Sequence, residues 1–130
     1  MAVGLDSPLE RLGPSVWLMR LAGEHDLATL PHVQAAFDEA ARADNTIVVV
    51  DLDEVTFIDS SVMGAIVKAH RGGETVLVVE PKAAIVRKAL DLVHLSDVVA
   101  MFADRDAALN RAREIGEQAD GVHADAALGR

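Results

Sequence analysis

The feature that most constrains the fold of this chain is the alternation of short β-branched runs with segments of helical period. Residues 46–52 read TIVVVDL and are almost continuously apolar, which is typical of a strand buried on both faces of a parallel sheet. Similar but shorter runs over residues 16–21, 75–80 and 98–102 predict three further strands. The residues before Val16 carry a weaker signal for one more strand.

Helical segments separate these strands. Thr29 followed by Pro31 is a helix-start signal, with the Thr29 hydroxyl as the candidate cap. Further helices are predicted after Ser61, after Pro81 and after Asp104, which is the candidate cap of the last one. The apolar positions predicted to face inward in the first three helices are Val33, Ala36, Phe37, Ala40, Ala41, Val62, Met63, Ile66, Val67, Ile85, Val86, Ala89, Leu90 and Val93.

Strands that alternate with helices in this way imply βαβ units. We therefore predict one α/β domain over residues 1–115, with a mainly parallel or mixed sheet of four to five strands and about four helices. From Gly116 onward the sequence is rich in small and polar residues and has no clear periodicity. Residues 116–130 are accordingly predicted to form a disordered tail.

Composition and charge exclude several classes of function. A net charge of −9 and an aromatic content of 3% oppose nucleic-acid binding, which relies on basic and stacking side chains. The chain has no cysteine, no membrane-length apolar run and no basic leader, so a cytoplasmic protein without a membrane role is expected. Acidic residues dominate residues 24–59, where Arg42 is the single basic residue; this stretch is either an ordinary solvated face or a patch that steers a basic partner.

The sequence lacks the residues that catalytic and metal-binding motifs require at their fixed spacings. Neither glycine-rich phosphate motif occurs, and the two serines at 60 and 61 lack the flanking glycines of a hydrolase elbow. Asp51 and Asp53 open like a calcium loop, but Thr56 stands at the glycine position and Val62 at the glutamate position. No histidine pair has i, i+4 spacing. We expect a non-enzymatic protein with no cofactor and no metal.

A positive signal lies in residues 51–64, DLDEVTFIDSSVMG, where a buried strand leads through a short acidic turn into a helix that begins with serines. Asp and Ser before an apolar helical face are ordinary N-caps, and capping by itself explains them. The same geometry also suits a phosphoryl group on Ser61, because the first N–H groups of a helix are unpaired and carry partial positive charge. The residues alone leave both interpretations open.

The segment VVVDLDEVTFIDSSVMGAI resembles the signature of STAS domains, in particular those of bacterial anti-sigma-factor antagonists. That signature is an apolar strand, D-x-s-x-V-x-F-x-D-S-S-G-x-G and an apolar helix. Residues 21–26, LAGEHD, resemble the G-E-x-D element that the family places after an early strand. The order of the later strands and helices is also similar, so the resemblance covers residues 14–110.

The resemblance implies regulation by partner switching. Ser61 matches the serine that a cognate anti-sigma factor, itself a serine kinase, phosphorylates, and a separate phosphatase would restore the hydroxyl. The unphosphorylated form would bind the anti-sigma factor, and the phosphorylated form would be released. The partner-binding residues implied by the resemblance are Asp26, Asp59, Ser60, Ser61, Val62 and Met63.

Two residues depart from the family pattern. Val62 stands where the family has glycine, which places a β-branched side chain next to the phosphoacceptor and would crowd an approaching kinase. His25 replaces a residue that is commonly apolar. These departures keep a second interpretation open, in which the domain is a scaffold or sensor that binds a protein, nucleotide or lipid ligand without being phosphorylated.

Overall fold

The computed structural model describes residues 8–128, with side chains described as far as residue 118. The elements follow in the order β1 (Leu9–Arg11), β2 (Val16–His25), α1 (Leu30–Ala41), β3 (Ile47–Ile58), α2 (Ser60–Arg71), β4 (Thr75–Val79), α3 (Ala84–Leu92), a 3₁₀ turn (Leu95–Asp97), β5 (Ala100–Phe102) and α4 (Arg105–Leu128).

The five strands form one mixed sheet in the order β1-β2-β3-β4-β5. Strands β2 to β5 are parallel, and β1 adds to β2 as an antiparallel edge. The predicted α/β class, the strand count and the weakly signalled first strand are all confirmed. Because the parallel strands end at the same edge, the helices α1, α2 and α3 all begin at that edge of the sheet.

Two apolar cores cover the two faces of the sheet. Met19, Val50 and Val78 belong to the face that packs against α1, α2 and α3. Leu18 and Val49 belong to the opposite face, which packs against α4 through residues such as Leu109. Strand β3 is buried on both faces, from Ile47 through Leu52, as its continuous apolar run predicts.

Strand β3 is longer than the sequence pattern predicts. Residues 53–58 are predicted as an acidic turn, whereas they continue the strand to Ile58 and pair with the end of β2, His25 lying opposite Ile58. Likewise β2 does not end at Gly23, which adopts a φ of 74° within the strand. Register shifts on either side of Gly23 accommodate this conformation, since glycine has no Cβ penalty there.

The predicted helix caps have different outcomes. Asp104 does cap α4, because its Oδ1 accepts the Ala107 N–H at 2.8 Å. The Thr29 hydroxyl makes no capping bond to α1; it contacts the backbone of Asp26 instead. Ile85 and Val93, predicted to face inward, are exposed on and just after α3.

Helix α4 begins as expected but does not end at residue 115. Its backbone continues to Leu128, whereas the sequence predicts irregular structure from Gly116. Gly116 is buried, and a Cβ there would lie 3.1 Å from Ser15 Oγ and 3.7 Å from Ile47 Cδ1. The glycine therefore allows α4 to lie close to the sheet rather than terminating the helix. The proposed boundary between domain and tail stays a prediction.

An ion pair between an exposed arginine and a buried aspartate joins α4 to the central strand. Asp51 is 3% exposed, and its Oδ2 accepts a 2.7 Å hydrogen bond from Arg105 Nε. Its Oδ1 accepts the Asp53 N–H at 2.9 Å. This carboxylate is thus fully engaged in holding the start of α4 against β3.

Candidate functional site

The Asp59–Ser60–Ser61 segment forms the junction between β3 and α2. Asp59 has an extended backbone (φ −104°, ψ 174°) and is the N-cap of α2. Its Oδ1 accepts the N–H groups of Ser61 at 3.1 Å and Val62 at 3.2 Å. The carboxylate therefore satisfies two of the four N–H groups that a helix start leaves unpaired, which confirms the capping interpretation for Asp59.

Ser61 does not cap the helix itself. Its Oγ donates a 2.6 Å hydrogen bond to the same Asp59 Oδ1, and among the described residues this oxygen has no other partner. The residue is only partly buried. The hydroxyl oxygen thus keeps its lone pairs and some access to solvent, at the second position of a helix whose N-terminus favours added negative charge.

The Asp59 carboxylate is strongly held in its ionised form. The hydrogen bond from the Ser61 hydroxyl lowers the pKa of Asp59 most. Burial is the next largest effect and opposes it, and the backbone groups of Val62, Ser61 and Leu27 lower the pKa further. An ionised acceptor beside the serine strengthens the hydrogen bond that the Ser61 hydroxyl donates.

The second predicted motif lies directly against this junction. The backbone N–H of Asp59 donates to the His25 carbonyl at 3.0 Å, and the backbone of Leu27 helps to lower the pKa of the Asp59 carboxylate. Asp26, between them in the chain, accepts the Ala28 N–H at 2.9 Å on its Oδ1. The structure thus brings the β2–α1 turn and the start of α2 together, as the resemblance implies, although residues 26 and 59 are far apart in sequence.

His25, the departure from the family pattern, is part of the same turn. Its Nε2 lies 3.1 Å from the Ala22 carbonyl and therefore carries a proton, and its Nδ1 lies 3.1 Å from Thr29 Oγ1. Burial lowers the pKa of His25, against smaller opposing effects of the Ala22 carbonyl and Asp26. The imidazole stabilises the β2–α1 turn.

The predicted partner-binding residues do not all face outward. Ser60 is exposed, and Asp26, Asp59 and Ser61 are partly exposed. Val62 and Met63, in contrast, are 0% and 6% exposed and belong to the core beneath α2. The predicted surface needs correction at these two positions, because their side chains fill the sheet–helix interface and cannot form a docking surface.

The burial of Val62 also changes what this valine, in place of the family's glycine, implies for access to Ser61. A valine that points into the core leaves the space above the Ser61 hydroxyl open. The expected crowding of the phosphoacceptor is therefore wrong.

Two exposed apolar side chains near the junction were not predicted as site residues. Leu27 is 69% exposed in the β2–α1 turn, and Phe57 is 47% exposed two residues before Asp59. The signal that could have revealed them is their place within the two motifs, beside the predicted site residues.

The described residues contain no cluster of three or more potential metal ligands. Within the same part of the chain, no helix has the length and apolar character needed to cross a membrane. The junction brings together a partly exposed serine, a capping carboxylate and exposed apolar side chains.

Comparison with known proteins identifies the family of the chain. Residues 11–108 match the family model of the STAS domain, and the chain belongs to that family. No curated protein matches the sequence significantly.

Solved structures with the same fold include anti-sigma factor antagonists. SpoIIAA in its unphosphorylated form has a TM-score of 0.69 at 23% identity, with 82% of this chain and 95% of that chain covered. The Bacillus SpoIIAA in its phosphorylated form has a TM-score of 0.60 at 22% identity, with coverages of 80% and 96%. An anti-sigma factor antagonist from Mycobacterium paratuberculosis has a TM-score of 0.71 at 22% identity, with coverages of 81% and 91%.

The fold also occurs in another setting. A sulfate transporter family protein from Wolinella succinogenes has a TM-score of 0.68 at 16% identity, with 83% of this chain and 93% of that chain covered. The comparisons therefore show a STAS fold like that of anti-sigma factor antagonists.

Proposed function

We propose that this protein is an anti-sigma factor antagonist that works in the cytoplasm by partner switching. Unphosphorylated, it binds an anti-sigma factor that is a serine kinase; once Ser61 is phosphorylated, it is released, and a phosphatase reverses the change. The chain itself supplies the hydroxyl, whereas the base, the nucleotide and its metal belong to the kinase. The observation that carries the proposal is the partly exposed Ser61 hydroxyl, which is held at the start of α2 without being consumed as its cap.

The surroundings of Ser61 support a protein as the binding partner. Leu27 and Phe57 provide exposed apolar anchors, and Asp26 and Asp59 provide carboxylates within the same turn and junction. Apolar anchors with a charged rim are typical of protein interfaces, where the charges mainly set the rate and specificity of association.

The charge added by phosphorylation is large enough to release a partner. A phosphoserine adds about −1.5 to −2 charges at neutral pH. If an acidic group of the partner lies about 8 Å away at an effective dielectric of about 20, the repulsion is about 3–4 kcal/mol. Even about 1.4 kcal/mol of this remaining after screening would weaken binding about tenfold, so no change of fold is required.

Phosphorylation can be tested directly on purified proteins. The chain is incubated with ATP and candidate anti-sigma factor kinases, and its intact mass and modified residue are determined by mass spectrometry. We expect one phosphoryl group on the native chain and on Ser60→Ala, and none on Ser61→Ala. Ser60 is the matched control because it is the adjacent and more exposed hydroxyl; modification of Ser60 in place of Ser61 would refute the assignment.

Binding to the kinase so identified tests the switch. Ser61→Ala should bind with native affinity and become insensitive to ATP, whereas Ser61→Asp and Ser61→Glu should bind at least about tenfold more weakly. Equal affinities for all of these variants would remove Ser61 from the mechanism.

The docking surface is tested by truncating its apolar anchors. Leu27→Ala and Phe57→Ala should each weaken binding about fivefold or more, as expected for interface anchors. Leu92→Ala is the control, because Leu92 is 72% exposed at the far end of α3 and should leave affinity unchanged. A larger effect at Leu92 than at Leu27 and Phe57 would place the interface elsewhere.

A second function is favoured by one comparison. The Wolinella succinogenes sulfate transporter family protein has the same fold at a similar TM-score, so the domain is alternatively a scaffold or sensor that binds a protein, nucleotide or lipid ligand without phosphorylation. Failure of every candidate kinase to modify Ser61, together with unchanged binding of a captured partner by Ser61→Asp, would favour this function.

A further inference from the structure

A strip of apolar side chains lies on the outer surface of α3, outside both sequence motifs. Ile85 and Leu92 are each 72% exposed, which makes them the two most exposed large apolar side chains in the part of the chain that the structure describes. Ala89, between them, is partly exposed. Because residues i, i+4 and i+7 share one face of a helix, these three side chains form one strip, the α3 stripe.

The charged residues of α3 and the turn before it differ in whether they are already engaged. Lys82 pairs with Asp53 at 3.2 Å, and Arg87 donates to backbone carbonyls of the preceding turn. Lys88 and Asp91 are exposed and form no ion pair with any described residue. With about 3.6 residues per turn, both lie on the same side of the α3 stripe, which is therefore flanked by one unpaired cation and one unpaired anion.

The α3 stripe and its flanking charges are self-complementary. If the α3 of a second copy packs antiparallel on this one, with the two-fold axis midway between Ile85 and Leu92, each Ile85 faces Leu92 of the other copy. Equal flanks meet across such an axis, so Lys88 approaches Asp91 of the other copy, and this contact occurs twice. The arrangement has an apolar centre and two reciprocal ion pairs.

We propose that α3 is the contact between two copies of this chain in an antiparallel homodimer. The charges favour a second copy as the occupant of the α3 stripe. The chain has a net charge of −9, so most of its surface repels another copy, whereas the charges of Lys88 and Asp91 cancel. An anionic membrane or an acidic partner would be attracted by Lys88 but repelled by Asp91.

The dimer leaves the proposed docking surface accessible, and so goes beyond the proposed function. Helices α2 and α3 begin at the same edge of the sheet, so an antiparallel pair of α3 helices places the two Ser61 junctions at opposite ends. One helix face buries less area than a standard interface, and we expect a dissociation constant of about 0.1–1 mM.

The experiment is sedimentation equilibrium of the full chain over a range of concentrations from about 0.02 to about 1 mM. We expect the apparent mass to rise from that of one chain towards that of two. A mass that stays at one chain throughout would overturn the proposal, as would growth beyond two chains, because a two-fold contact closes on itself.

Substitutions in the α3 stripe assign the contact. Ile85→Ser and Leu92→Ser should each weaken dimerisation about tenfold or more, because each truncation occurs twice in the dimer. Leu12→Ser is the matched control, since Leu12 is 38% exposed just after β1 and should dimerise like the native chain. Circular dichroism verifies that each variant is folded. Native dimerisation by both α3 variants, or an equal loss in the control, would refute the surface.

Reversal of the flanking charges tests the symmetry. Lys88→Asp and Asp91→Lys should each weaken dimerisation about threefold or more, because each creates two pairs of like charge. The double variant Lys88→Asp/Asp91→Lys restores opposite charges and should dimerise like the native chain. A double variant that is no better than the single variants would refute the reciprocal pairing.

Cysteine cross-linking tests the antiparallel orientation, since the native chain has no cysteine. A mixture of Ile85→Cys and Leu92→Cys, treated with diamide as the oxidant, should form the mixed disulfide-linked dimer in preference to either symmetric one. Preferred symmetric cross-links would mean a parallel pair and overturn the proposal. Leu92→Ser should still be phosphorylated on Ser61, and Ser61→Ala should still dimerise, so failure of the dimer and failure of the partner switch are distinguishable.

Discussion

The Ser61 hydroxyl donates a 2.6 Å hydrogen bond to Asp59 Oδ1, the same oxygen that caps α2. A hydroxyl bonded to an ionised carboxylate is a short, charge-assisted contact. Asp59 therefore combines two roles: it stabilises the start of the helix, and it holds the candidate phosphoacceptor in one position. Phosphorylation would consume the hydroxyl hydrogen and place a second negative group beside the cap.

Removal of this cap should destabilise the protein. Asp59→Ala leaves the N–H groups of Ser61 and Val62 without their acceptor, so the Tm should fall by several degrees. The Tm of Asp59→Asn, which keeps a capping oxygen, should fall less, and the Tm of Ser60→Ala should be unchanged. Thermal unfolding followed by circular dichroism measures all three; a native Tm for Asp59→Ala would show that Asp59 does not hold the start of α2.

Replacing Val62 by the glycine of the family pattern should destabilise the fold and should not speed the phosphorylation of Ser61. Val62 is completely buried, so Val62→Gly removes core packing and adds the helix cost of glycine, about 3 kcal/mol in total. Urea unfolding measures the loss. The rate at which the kinase modifies Ser61 should not increase, and a large increase in a still-folded variant would mean that Val62 does obstruct the site.

Substitution of Gly64 in the same helix should instead stabilise the fold. It is exposed within α2, and a Cβ added there would meet no atom within 4 Å. Gly64→Ala should therefore stabilise the fold by about 0.5–1 kcal/mol, because alanine loses less conformational entropy on entering a helix. A lower urea midpoint than that of the native chain would contradict this.

The comparison of Val62 and Ser61 shows what the sequence determines. Helical periodicity places Val62 on the apolar face of α2, and this is correct. The resemblance assigns Val62 and Met63 to the partner surface as part of a motif, and a motif does not state which way a side chain points. The exposure of Ser61 and the burial of Val62 follow from the rotation of α2 about its axis, which its packing on the sheet decides.

Tertiary pairing accounts for the errors in the fold prediction. Residues 53–58 contain two acidic residues and Thr56, a composition typical of a turn, yet pairing with β2 keeps them in a strand. Gly23 is a strand-ending signal in sequence but lies within a strand, and Gly116, where the helical period fades, lies where α4 approaches the sheet closely. Such positions depend on which backbone lies opposite, and local sequence carries no information about that.

The Asp51–Arg105 pair, in which the carboxylate is buried and the arginine is exposed, predicts a measurable effect from a single substitution. Arg105→Ala leaves the 3% exposed Asp51 carboxylate without its cation, and should destabilise the fold by about 2 kcal/mol. Arg111→Ala is the control, because Arg111 lies 3.5 Å from Glu114 in an exposed pair, where the expected change is below about 0.5 kcal/mol. Equal urea midpoints for the two variants would mean that Arg105 contributes no more than a surface charge.

Glu74 should make stability fall as the pH rises through the neutral range. Its pKa in the folded protein, about 7, lies above the ordinary value of 4.5, so between these values the folded state binds more protons than the unfolded state. The stabilisation is complete below about pH 4.5 and is lost by the time the pH exceeds 7.

His25 acts in the opposite sense, because burial lowers its pKa and its contribution is lost on acidification below about pH 6.5. Glu74→Gln should therefore raise the Tm at pH 8 by a few degrees relative to the native chain and leave a profile that improves with rising pH through the His25 range. A difference in Tm between the two proteins that stays constant from pH 5 to pH 8 would show that Glu74 titrates normally.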